Sequence, residues 1–283
     1  MKPAPFIYLA PKSTEEALEF LDLHQDDVRV LAGGQSLVPM LNFRLIRFDY
    51  LLDINGIPEL SYIRSEHERL HIGATTRYRT IEVNRLIQAH APLLSKATHF
   101  VAHLPVRTRG TIGGSLAHAD PAAEYPALML VLNATMVVKS KSHTSEIAAD
   151  DFFGGLFESK LSAGDLLVEI QIPHAKPTQG FGFKEYSRRT GDLALVGVAV
   201  MLDIANHVIT DARIALLGLS GGVQRLLEAE NHLIGKKVNE ELIEHASDFA
   251  MNVSAQSDLH GTDALRKHLA KVLTKDALIE ACQ

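Results

Sequence analysis

Two short segments carry the clearest chemical signal in this chain. Ala32-Gly33-Gly34-Gln35-Ser36 follows an apolar run at residues 28–31, and Thr111-Ile112-Gly113-Gly114-Ser115 repeats the same chemistry, paired glycines beside small hydroxyl side chains. Adjacent glycines let a backbone take positive φ and approach a ligand with no Cβ in the way. Successive N–H groups in such a turn form an anion-binding concavity, to which Ser36 adds a hydroxyl donor. Taken singly, each segment also reads as a tight strand-to-helix turn. Two such loops converging would present many neutral donors to a doubly charged pyrophosphate. Neither loop contains a lysine or arginine, so dipoles rather than an ion pair would hold the charge; Arg29, Arg107 and Arg109 stand just outside. Neither loop fits the G-x-G-x-x-G or lysine-bearing P-loop pattern.

Downstream lies His118-Ala119-Asp120-Pro121-Ala122-Ala123-Glu124-Tyr125-Pro126. Acidic side chains close to a dinucleotide loop accept hydrogen bonds from ribose or ribityl hydroxyls, which makes Asp120 and Glu124 candidates. Asp120 also reads as a helix N-cap ahead of Pro121, and both roles can hold together. His118 reads as structural or solvent-facing. Other catalytic templates fit poorly. Fourteen histidines bring no HExxH and no tight His/carboxylate cluster.

Composition narrows the classes further. With 28 Lys plus Arg against 34 Asp plus Glu, the net charge of −6 argues against a nucleic-acid partner. The one cysteine, Cys282, excludes internal disulfides and cysteine-ligated iron–sulfur clusters within the chain, so any redox cofactor must be held without thiolates. No signal-peptide core follows Met1-Lys2-Pro3, and no apolar run reaches membrane-spanning length, so a cytoplasmic setting is expected.

The elements that would position these loops alternate at first. Residues 6–9, 28–31 and 50–54 read as strands. Ser13-Thr14-Glu15-Glu16 has the form of a capping box opening a helix with Ala17, Leu18 and Leu21 on one face. Residues 70–73, 136–139 and 166–172 are strand candidates; 80–89, 92–103 and 122–132 are helix candidates. Residues 173–180, with two prolines and a glycine, form the linker candidate. Beyond it, residues 181–188, 193–204 and 212–219 read as three long antiparallel strands, and 223–234, 240–251 and 264–281 as helices. The fold class is therefore α+β, with a larger domain over 1–176 and a smaller sheet-plus-helix domain over 177–283.

In this order, Ala32-Gly33-Gly34-Gln35-Ser36-Leu37, Asp53-Ile54-Asn55-Gly56-Ile57, Thr111-Ile112-Gly113-Gly114-Ser115, Phe183-Lys184-Glu185-Tyr186-Ser187-Arg188-Arg189 and Gly191-Asp192-Leu193-Ala194 resemble the FAD-binding medium subunits of the carbon monoxide dehydrogenase and xanthine dehydrogenase family of molybdenum hydroxylases. The resemblance covers essentially the whole chain. It implies a two-part vanillyl-alcohol-oxidase-type FAD domain followed by a smaller C-terminal domain. The FAD pyrophosphate would sit between the first motif, with Val30 and Leu31 leading into it, and the second. Glu124 would lie by the sugar or ribityl chain, Leu193 near the isoalloxazine and Lys184 in the same region. A molybdenum–pterin centre in a large partner subunit and [2Fe–2S] clusters in a small one are implied, in a dimer of heterotrimers. Electrons would pass from the clusters through FAD to an external acceptor. Two alternatives stay open: a self-contained FAD-dependent oxidoreductase of the same superfamily, and a flavin-free scaffold subunit.

Overall fold

The computed structural model describes residues 2–283. The chain first builds a three-stranded parallel sheet in the order Ile7–Leu9, Tyr50–Asp53, Val28–Leu31. Parallel strands need covered crossovers, and helix Thr14–His24 supplies the first, burying Ala17, Leu18 and Leu21. Its capping box is only half formed. Ser13 accepts from the Glu16 amide at 3.1 Å, whereas the Glu16 carboxylate takes the Lys12 amide at 2.7 Å instead of that of Ser13.

A second, five-stranded antiparallel sheet runs Ile63–Glu66, Arg69–Gly73, Leu166–Pro173, Thr135–Lys139, Thr144–Ala148. One face, through Val137, Leu166 and Val168, joins the core of the parallel sheet, and the other backs onto the helices between residues 78 and 131. Helix Glu124–Val131 is buried over its whole length, as expected of a helix apolar all round.

The C-terminal part is a four-stranded antiparallel sheet, Gln179–Tyr186, Val196–Ala205, Val208–Leu217 and Gln224–Arg225. Sequence reading predicts three long strands and a helix from residue 223. The helix starts only at Leu227, because Gln224 and Arg225 extend the sheet edge, and the Arg225 guanidinium is clamped by Glu230 and Asp150. The near-continuous apolar run of 193–204 is explained by burial on both faces. Ala199 and Met201 pack toward the first part of the chain, while Val196, Val198 and Val200 pack under the closing helices.

Strand Gln179–Tyr186 divides its residues in the same way. A Cβ on Gly180 or Gly182 would collide with backbone carbonyls of Ala281 and Ala277, so these glycines let helix Asp263–Ala281 lie directly on the sheet. Phe183, on the opposite face, enters the core shared with the N-terminal part. The junction between the two parts is thus a packed seam, closed further by the Gly218 amide donating to the Pro121 carbonyl.

Candidate functional site

The parallel sheet delivers the first glycine loop to the flank of the second. Gly33 is the point of closest approach. A Cβ there would stand 2.7 Å from the Arg109 carbonyl oxygen and from the Gly110 Cα. Gly34 has φ of +72°, in the region that glycine alone occupies at little cost. In the second motif, Gly113 sits so close to Ala74 that a Cβ would come within 2.5 Å of its side chain.

Side chains outside both loops tie them together. Asn55 donates through Nδ2 to the Ala32 carbonyl at 2.7 Å, and Arg77 donates through Nη2 to Asn55 Oδ1 at 2.5 Å and through Nη1 to the Arg109 carbonyl. Asn55 is itself held by Asp53, whose other oxygen accepts from the Tyr8 hydroxyl at 2.6 Å. Burial works against the charge on Asp53, but the Tyr8 and Asn55 donors and the Arg77 guanidinium hold its carboxyl below the usual value.

The two loops use their amides differently. Among the described residues, the N–H groups of residues 33–37 donate to no protein acceptor, and the Ser36 hydroxyl caps nothing. The second motif is not a loop but the start of helix Ile112–His118, and its amides are spent. Ile112 donates to Thr76 O, Gly113 to Ala74 O, Gly114 to the Thr111 hydroxyl and Ser115 to Thr111 O. The expectation of two equivalent donor jaws is corrected accordingly. The first loop has the available donors; the second is a buttress that offers the Ser115 hydroxyl.

Between them opens a cavity of about 660 Å³, within the range of roughly 300–1,000 Å³ typical of cofactor sites. Val30, Ala32, Gly33, Gly34, Gln35, Ser36 and Leu37 line one side. Thr111, Gly113, Gly114 and Ser115 line the other, with Asp120 and Glu124 at the floor and Leu193 at the rim. Three sequence-predicted residues are not brought there. Leu31 packs its side chain behind Gly34, and Ile112 is fully buried in the core. Lys184 lies on the helix-facing side of its strand, 3.4 Å from Glu280, because alternate residues of a strand face opposite ways. Leu193 is not in a strand as expected. It belongs to the turn after Gly191 and is 64% exposed. Asp120 does not cap the helix that starts at Glu124; its carboxylate takes the Ala122 amide at 2.9 Å and closes a turn one step earlier.

Glu124 is 6% exposed and has no ion-pair partner among the described residues, and burial, with Asp120 nearby, pushes its carboxyl up to about 7. Tyr78, which the sequence reading missed, lines the cavity and stacks on Tyr125 with ring centroids 4.8 Å apart. Burial raises its phenol well above the ordinary value. Nothing in the local sequence marks Tyr78, since it reaches the site through pairing of Arg77 with Thr111. The Asn55–Arg77 tie was half visible, because Asn55 belongs to a quoted motif and Arg77 does not.

The cradle fits a dinucleotide: unspent amides and a hydroxyl face a cleft in which a Cβ at Gly33 would stand in the backbone of the opposite loop. Family comparison agrees. Residues 4–175 match the model described as the FAD binding domain in molybdopterin dehydrogenase, and residues 181–281 match the CO dehydrogenase flavoprotein C-terminal domain. The chain is 38% identical to the glyceraldehyde dehydrogenase medium chain of Sulfolobus acidocaldarius, with 99% of each chain covered. It is 35% identical to the carbon monoxide dehydrogenase medium chain of Hydrogenophaga pseudoflava, covering 98% of this chain and 97% of the relative. The solved carbon monoxide dehydrogenase from H. pseudoflava superposes with a TM-score of 0.97 at 36% identity, over 100% of this chain and 99% of that one. Cavity, loops and both domain matches lead to one assignment: the chain belongs to the family of FAD-binding medium subunits of molybdenum hydroxylases.

Proposed function

We propose that this chain is the electron-relay subunit of a three-component molybdenum hydroxylase, taking electrons from [2Fe–2S] clusters of a small partner subunit and passing them to an external acceptor. Substrate would be oxidised at the molybdenum–pterin centre of a large partner subunit, with two heterotrimers forming the assembly. The carrying observation is the cavity bounded by both glycine motifs. FAD bound there supplies the reversible redox chemistry; this chain supplies binding, orientation and electrostatics.

The residues divide the work. The amides of residues 33–37 and the Ser36 and Ser115 hydroxyls meet the pyrophosphate, Asp120 and Glu124 meet hydroxyls of the sugar or ribityl chain, and Leu193 edges the ring system. Lys184 has no part in the cradle itself; its ion pair with Glu280 braces the strand that carries Phe183 and Glu185. The FAD-binding unit is taken as 1–176 and the C-terminal unit as 177–283. No helix among the described residues is long and apolar enough to cross a membrane, and we infer a cytoplasmic setting for the relay.

The test is purification of the full chain together with the products of its neighbouring genes. A yellow complex with FAD, a large molybdenum subunit and a small cysteine-rich subunit is expected. A colourless chain that refuses added FAD would sink the reading.

A further inference from the structure

The floor of the cavity has the wrong charge for a pyrophosphate. From floor to rim the cavity is lined by four carboxyls, those of Asp120, Glu124, Asp165 and Asp192, against the imidazole of His118 and one guanidinium, Arg29, which is turned toward the backbone carbonyls of Val28 and Asp26. A dianion entering beside that many carboxylates meets repulsion that dipoles alone must offset. Glu124 is the buried member of the four, and beyond its own amide no donor reaches it among the described residues.

Across the seam, on the strand that packs into the common core, Glu185 feels the charge of Glu124. It shares the face of strand Gln179–Tyr186 that carries Phe183 into the common core, and its Oε2 is buried with no hydrogen-bond partner. Burial, then the charge of Glu124, pushes its carboxyl up to about 8. Among the described residues, no cation forms an ion pair with either carboxyl. Asp120, Tyr78 and Tyr125 face Glu124. Lys184 and Lys96 are committed to Glu280 on the other side of the strand, and Arg79, Arg107 and His99 surround Glu82. A buried carboxylate without a counter-ion takes up a proton in preference to staying charged.

We propose that Glu124 and Glu185 act as one proton-holding pair beneath the flavin pocket, so that FAD binds together with a proton taken from solvent onto a carboxylate oxygen of this pair. The inference rests on the FAD reading above and adds to it a coupling between pH and cofactor retention. Glu185, which does not line the cavity, is then a positioning residue that acts through Glu124. No other bond is made or broken: a solvent proton is consumed and one carboxylate is neutralised.

The experiment is FAD titration of the flavin-free full chain by calorimetry between about pH 6 and about pH 9, in buffers of different ionisation enthalpy, a window that brackets both carboxyls. Net proton uptake and an affinity that weakens with rising pH are expected, by up to about tenfold per pH unit for one linked proton. E185Q should reduce both the slope and the uptake, and E124Q should reduce them further. A wild-type affinity that is flat with pH, or net proton release, overturns the pair while leaving the FAD site standing. Absence of FAD binding at every pH removes the FAD reading and the pair together. An H118Q series, in which the cavity-lining imidazole cannot supply the linked proton, should keep the wild-type slope and uptake; their loss there overturns the pair, as does a flat wild-type series.

Discussion

The two glycine motifs look alike in sequence and do different jobs. Among the described residues, the amides of 33–37 find no acceptor, whereas every amide from Ile112 to Ser115 is committed within the protein. The difference follows from what comes before each one. The first loop leaves the end of a strand with no acceptor placed against its amides before helix Leu37–Asn42 begins; the second is threaded past residues 74–76, whose carbonyls take the Ile112 and Gly113 amides, and Thr111 takes the next two. Equal motifs therefore do not imply equal ligands. On the proposed reading, one jaw grips and the other sets the gap.

The most severe way to break that division is Gly33→Val. Its Cβ would meet the backbone of the opposing motif, which cannot rotate away, so the gap itself must open. FAD affinity should fall at least about a hundredfold, about 2.7 kcal/mol, measured by flavin fluorescence quenching on titration. Gly34→Val should cost less. The contacts at that position are side-chain atoms of Leu31 and Val38 at 3.1 Å, and the main penalty is the strained φ. Equal losses at the two positions would show that the loop backbones do not meet as described.

Next in size is the tie between the jaws. Asn55→Ala frees the Ala32 carbonyl and leaves Arg77 attached to the Arg109 carbonyl alone. Losing such a polar bridge costs about 1–3 kcal/mol, so affinity should drop roughly tenfold through a faster off-rate. Stopped-flow release of FAD measures it. An unchanged off-rate would mean the loops hold their spacing without the bridge.

How far this was legible depends on whether the signal was local. The glycine pairs, the Ser13 cap, the helix opening with Ala17 and the apolar C-terminal strands were readable because each is a pattern within a few residues. Tyr78 and the change of face between Lys184 and Glu185 were not. The first depends on Arg77 pairing with Thr111 more than thirty positions away; the second depends on which side of the sheet helix Asp263–Ala281 covers. The short strand Gln224–Arg225 was missed for a related reason, since its place at the sheet edge is set by Glu230 and Asp150 rather than by its own propensity.

The amides of neither jaw titrate, so pH reads the carboxyl floor separately from the loops. Glu124 and Glu185 are both raised in the folded chain, to about 7 and about 8, chiefly by burial. For a raised carboxyl the stabilising form is the protonated one, so its contribution is complete below the ordinary carboxylate value and is lost as pH rises through the folded values. The melting temperature of the flavin-free chain should therefore decline as pH rises between about pH 5 and about pH 9, the window between the ordinary carboxylate value and the raised ones. E185Q should flatten the upper part of that decline. A melting temperature that rises over this window would mean that the pair is ionised in the folded chain.

The smallest effects give the sharpest comparison, because they should fall on opposite observables. Ser36→Ala removes a hydroxyl that caps nothing and faces the cavity. It should leave the melting temperature unchanged and weaken FAD by about 0.5–1.5 kcal/mol, the usual worth of one neutral hydrogen bond. Thr111→Val keeps the side-chain volume but deletes the acceptor of the Gly114 amide. It should cost about 1 kcal/mol of stability, as a lost N-cap does, and change FAD affinity much less than Ser36→Ala, because the released amide belongs to the buttress. If Thr111→Val weakened FAD as much as Ser36→Ala while both left the melting temperature alone, the two motifs would be equivalent jaws after all. A crossed result, affinity lost at one position and stability at the other, is what the amide accounting requires: the ligand is held where the backbone donors are left over, and the fold is held where they are not.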